Sequence, residues 1–199
     1  MPSQAVVALI VFLFSTLGVV AQHSAAAVPY DIDEAYKVYN VLVPHEQSAQ
    51  IGQGTIIIQQ ETVSKSEMLD PFLPGVEGCL TTEAANKFKD AIADFRRVTT
   101  KQWLLQHQFQ LERPYKLLNS DTSRILFKSH GWEGFYELYP DSGGIVTLSA
   151  VGFNQDKTQA IVYSGSLCGV LCGRWSFHLM EKIGGKWIEQ RGVTCHTVS

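Results

Sequence analysis

The chain predicts a single α+β domain in which N-terminal helices pack on an antiparallel β-meander of about four to six strands. Two observations carry that reading. The run "TTEAANKFKDAIADFRRV" (81–98) places Ala84, Phe88, Ala91, Ile92 and Phe95 on one stripe at helical spacing. Later, four strand-like runs follow one another: "IVTLSAVGFN", "TQAIVYSG", "RWSFHLMEK" and "KWIEQRGVTC". The connections between them, "NQDK", a Cys-Gly loop and "IGGK", suit hairpin turns.

Taken in order, the chain opens on a segment outside the fold. Ala5 to Ala27 carries no charge, and its apolar stretch runs into small residues, the pattern of a secretory signal peptide. Cleavage is expected after Ala21 or after Ala27, leaving 28–199 as the domain. A membrane association follows only if this segment is retained, because Ala5 to Ala21 approaches the length that spans a bilayer. "DIDEAYKVYNVLV" (31–43) then reads as a helix, with acidic residues in its first turn and Pro44 ending it. The β-branched run Gly54 to Val63 reads as a buried strand, and Ser64 to Gly78, with two prolines and two glycines, as loop.

In the 81–98 helix, Thr81 or Thr82 supplies the N-cap and Arg96 and Arg97 suit the C-terminal end. "LQHQFQLE" (105–112) alternates Leu105, His107, Phe109 and Leu111 against three glutamines, which predicts a half-buried strand.

With 45% hydrophobic and 18% charged residues, a 199-residue chain has enough apolar material for one substantial core. A net charge of -3 without any Lys/Arg run gives no electrostatic footprint for nucleic acid. Export alters the reading of the cysteines. Cys79, Cys168, Cys172 and Cys195 are an even set bound for an oxidising compartment, periplasmic or extracellular, which favours disulfides. If Gly184 and Gly185 form the last hairpin turn, Ile183 pairs with Lys186 and Cys195 falls opposite Arg174, diagonal to Cys172. A Cys172–Cys195 bridge therefore competes with a local Cys168–Cys172 bridge accompanied by a long-range Cys79–Cys195 staple; the second set is preferred.

The segments "SAVGFN", "CGVLCG" and "EKIGGKW" together resemble the tail shared by a group of uncharacterised exported bacterial proteins. The resemblance covers most of the mature chain. It implies a bacterial, exported protein and brings no activity, cofactor or site residue with it.

Neither catalysis nor metal binding has a strong signature. The Cys-Gly pairs have C-x3-C spacing in a strand-loop-strand context, which fits neither a zinc knuckle with His178 and His196 nor a C-x-x-C redox motif. Ser166, His107, His130, His178 and His196, with Asp141, fall in no nucleophile motif, and "GQG" (52–54) precedes a strand rather than a helix. No cofactor or metal is expected. The aromatic segment "HGWEGFYELYP" (130–140) offers the weak ligand-binding candidates Trp132, Glu133, Tyr136 and Glu137. The expectation is thus an exported, disulfide-stabilised, non-enzymatic binding or envelope-associated module. The alternative is a small-ligand-binding or hydrolytic domain with a cleft near Trp132 to Tyr139.

Overall fold

The computed structural model describes residues 28–47, 54–68 and 76–198; the expected signal segment, with both cleavage points, lies outside them. β1 (Val28–Tyr30) leads into α1 (Asp33–Gln47), whose first turn holds Asp33 and Glu34. Pro44 lies inside α1 and does not end it, contrary to the expectation. Proline removes one backbone donor and crowds the carbonyl four residues back. Here the last turn is held from outside the helix: Arg174 Nη2 donates to the His45 carbonyl at 2.5 Å, and the Glu46 carboxylate accepts from the sheet.

β2 (Ile56–Gln59) follows, then a short α2 (Lys65–Met68) and a 3-10 turn (Val76–Cys79) within the segment read as loop. The long predicted helix is two, α3 (Thr82–Lys87) and α4 (Lys89–Val98), offset at Phe88. Thr81 caps the first, accepting from the Ala84 amide at 3.2 Å. α4 buries Ala91, Ile92, Phe95 and Val98, so the predicted stripe is the buried one.

The sheet has eight strands and is mixed rather than purely antiparallel. Its order is β10-β8-β7-β5-β2-β4, with β6 also on β7 and β9 also on β8. β4 is Tyr115–Leu118, β5 Ile145–Leu148, β6 Gly152–Phe153, β7 Gln159–Gly169, β8 Cys172–Ile183, β9 Lys186–Gln190 and β10 His196–Val198. The predicted meander is the antiparallel part, β5 to β9. The correction comes from β2, which runs parallel to both β4 and β5. Parallel neighbours need a crossover, and α5 (Ser120–Ser129) with α6 (Gly131–Leu138) carries the chain from β4 to β5.

The expected strand over 105–112 is the other correction. Only β3 (Trp103–Leu105) forms, paired with β1. Leu105 and Phe109 are buried as the alternation implied. The backbone beside them finds side-chain partners on α1 instead: the Gln106 amide donates to Tyr36 Oη at 2.7 Å and the Gln110 amide to Asn40 Oδ1 at 2.9 Å. The alternation held at Leu105 and Phe109 but not at His107, which is exposed, and the ladder was replaced by polar groups of a helix.

Strand alternation divides the core between the two sheet faces. On one face, Ile56, Ile58, Val146, Leu148, Val162 and Met180 pack with Tyr39, Leu42 and Val43 of α1. On the other, Ile161, Tyr163, Phe177 and Leu179 meet Phe88, Ile92 and Phe95, while Ile57 and Ile145 meet Leu126 and Phe135. Trp175 packs against Gly165 there; a Cβ at Gly165 would sit 2.1 Å from the indole Cδ1, so only glycine fits beside the ring.

The last hairpin pairs Ile183 with Lys186, as the sequence implied, and continues to Leu179 opposite Gln190. The chain then leaves the ladder, and β10 resumes pairing with His196 opposite Ser176, so Cys195 does not face Arg174. The detour carries Cys195 to Cys79 (Cα–Cα 4.9 Å), and Cys168 closes on Cys172 (Cα–Cα 5.0 Å). Both bridges of the preferred set are present. Two disulfides suit an oxidising compartment, and among the described residues no helix is long and apolar enough to cross a membrane.

Candidate functional site

The hairpin of β7 and β8 displays, at its closed end, the most exposed large apolar side chains among the described residues. Gly169 pairs with Cys172, leaving Val170 and Leu171 as a two-residue tip. Their exposures are 86% and 85%. The stretch from Ser164 to Gly173 carries no charge. The Cys168–Cys172 bridge ties the two strands directly beneath the tip, and Tyr136 Oη donates to the Cys168 carbonyl at 3.0 Å. An aliphatic pair is therefore held out in water on a loop with little freedom left to lose.

Farther down the same strands lies a cluster that sequence reasoning missed. Ser164 on β7 and His178 on β8 are diagonal neighbours, because Ser164 pairs with Ser176 and Val162 with His178. Ser164 Oγ is 2.8 Å from His178 Nε2, and His178 Nδ1 is 2.6 Å from Glu189 Oε1 on β9. Ser164 Oγ also donates to Glu46 Oε1 at the end of α1. Arg174 Nε donates to the other Glu46 oxygen at 3.2 Å.

Burial alone would lower the His178 pKa, but hydrogen bonds to Glu189 and Glu46 raise it to about 9. Burial would raise Glu46, yet the hydrogen bonds from His178 and Ser164, with the charges of His178 and Arg174, lower it. For Glu189 the hydrogen bond from His178 dominates and lowers it. Two carboxylates thus face two cations.

The Ser164–His178–Glu189 order is that of a nucleophile triad, and its chemistry is not. A triad needs a neutral imidazole that takes the serine proton. Here hydrogen bonds to two carboxylates favour the protonated imidazole, the serine proton is directed at Glu46, and Ser164 is 0% exposed. The cluster holds the end of α1 on the sheet. A matching mooring lies at the helix start, where Glu34 Oε1 accepts from Lys182 Nζ at 2.7 Å and from Trp187 Nε1 at 2.8 Å.

Of the residues read from sequence, the four cysteines form the two bridges. Trp132 and Tyr136 stack on one side of α6 (centroids 5.9 Å apart) and Trp132 packs on Phe127 and Phe135. Glu133 and Glu137 are exposed on the next side. The two pairs form neighbouring stripes of the same helix, one aromatic and one acidic. Ser166 lies away from His178, and His107 packs against Tyr115. The missed residues Glu46, Ser164, Arg174 and Glu189 had one usable signal: Ser164 and His178 are polar at the inward parity of Val162 and Met180.

No family model matches the chain, and no curated protein or solved structure matches it either.

Proposed function

We propose that the protein is an exported, non-enzymatic binding module of the periplasmic or extracellular space, and that the disulfide-closed tip at Val170 and Leu171 is its contact element. The observation that carries the reading is an uncharged tip with two aliphatic side chains almost wholly in water above a covalent clamp. Burying two such side chains contributes about 3–6 kcal/mol. The clamp keeps much of that gain from being spent on ordering the loop.

The partner is a protein surface with an aliphatic pocket rather than a lipid surface. The nearest cation in sequence, Arg174, is committed to Glu46 and the His45 carbonyl, and the chain is net acidic, which disfavours anionic headgroups. The uncharacterised exported bacterial group that the tail resembles fits the same reading, since the tip is its "CGVLCG" segment.

A photo-crosslinking residue at Leu171, with one at exposed Lys186 as control, tests the proposal in cells exporting the full chain. The expected result is a discrete protein adduct from position 171 alone, abolished by Val170→Asp and unaffected by Glu133→Gln with Glu137→Gln. Adducts equal at both positions, or tip-dependent floating with phosphatidylcholine vesicles, would overturn it.

A further inference from the structure

The opposite end of β7 opens on a cleft of about 700 Å³ between the start of α1, the end of α4 and the turn after β6. Its construction begins at Gly152. A Cβ there would sit 2.3 Å from the Phe95 amide nitrogen, so α4 can lie directly on β6 only because the residue is glycine. Asp94 Oδ2 then accepts the Phe153 amide at 3.0 Å, and Tyr30 Oη accepts the Val151 amide at 2.9 Å. Val98, Val151 and Phe153 are thereby fixed as a buried apolar floor. Two of these belong to the "SAVGFN" segment, which the tip does not use.

The rim carries charge of both signs. Asp94 is taken up by Arg97 and the Phe153 amide, and Glu34 by Lys182, Lys37 and Trp187. Asp31 accepts from Gln108 Nε2 at 2.9 Å, while among the described residues Asp33 on the α1 side and Lys157 on the turn side make no side-chain hydrogen bond or ion pair. Lys157 is also the only non-glycine among them with positive φ (51°). Side chains other than Asn, Asp and Gly adopt that conformation rarely. The turn is held there by Asn154, whose Oδ1 accepts the Thr158 and Gln159 amides at 2.8 and 2.9 Å.

We propose that this cleft binds short peptides with free termini: the ammonium at Asp33, the carboxylate at Lys157, and apolar side chains on the Val98–Val151–Phe153 floor. A peptide is the chemical class that offers an anion, a cation and an apolar body in one molecule, and the volume lies within the usual range for small-ligand sites. Both rim charges are exposed, so each end contact is worth about a two- to five-fold change in affinity, the scale of a solvent-exposed ion pair.

The test is calorimetric titration of the full mature chain with tri-leucine, N-acetyl-tri-leucine, tri-leucine amide and tri-glycine. Free tri-leucine is expected to bind, with tri-glycine weaker because it leaves the floor uncovered. Acetylation should weaken binding about two- to five-fold in the parent and not in Asp33→Asn; amidation should do so in the parent and not in Lys157→Asn. Asparagine keeps the left-handed turn while removing the charge. A Val170→Asp chain should bind tri-leucine unchanged, which separates this site from the tip. Equal binding of free and blocked tri-leucine, or no heat with any of the peptides at millimolar concentration, would overturn the proposal.

Discussion

The two faces of the sheet hold their helices by different chemistry. On one, α1 is moored at both ends by charge: Glu34 to Lys182 at its start, and Glu46 to His178 and Arg174 at its finish. On the other, the segment entering α3 is joined to the last part of the chain by the Cys79–Cys195 bridge, 116 residues apart in sequence. A covalent link acts mainly by restricting the unfolded chain and is indifferent to protonation. A buried ion cluster acts only while every member keeps its charge, and loss of one member leaves the others desolvated and unpaired.

Removing the covalent side should have the largest effect. Replacing Cys79 and Cys195 with serine together is expected to lower stability by about 4–5 kcal/mol by the chain-entropy argument for a long loop. Denaturant titration should show that loss to be the same at pH 6 and pH 9. A loss that changed strongly with pH would break the contrast between the faces.

The charged side should respond next. His178 keeps its proton to about 9 in the fold against an ordinary 6.5. Its stabilisation is therefore complete below about 6.5, fades as the pH climbs, and is gone above about 9, a change of about 3 kcal/mol. Glu46 and Glu189, held below the ordinary 4.5, stabilise above that value and lose their contribution as the pH falls beneath it. His178→Gln should destabilise the protein by about 3 kcal/mol near pH 6. The gap between variant and parent should close by pH 9, and a gap that stayed constant would show that the ring acts by packing alone.

The smallest effect sharpens the comparison from within the covalent face. Lys87 on α3 meets Glu181 on β8 at 2.8 Å, with both side chains partly in water. Lys87→Ala should lower stability by less than about 1 kcal/mol, and raising the salt concentration should erase the difference in melting temperature.

What was legible in the sequence follows from the range of each signal. The α4 stripe, the hairpins of β5 to β9 and the Cys168–Cys172 bridge rest on patterns or turns a few residues long and are readable; the Cys79–Cys195 bridge, 116 residues apart, follows only as the pair left over once the local bridge is chosen. The parallel placement of β2 is not, because helices separate it in sequence from its neighbours β4 and β5. Pro44 misled for a physical reason: a local rule about backbone donors was outweighed by Arg174 and Ser164, more than a hundred residues away. The candidate site divides likewise. The tip was visible as a contiguous Cys-Gly stretch, whereas the cluster draws Glu46, Ser164, His178 and Glu189 from four elements that only the fold assembles.

Trp175, packed against Gly165, and Trp187, donating to Glu34, stand on opposite faces of the sheet. Each indole is a built-in optical probe of one attachment. With Trp103 and Trp132 also replaced by phenylalanine, emission from a Trp187→Phe chain retains the signal of the face that carries the disulfide, and emission from a Trp175→Phe chain retains that of the charge-moored helix. Light alone can therefore report which helix lets go first, with no label added to the molecule.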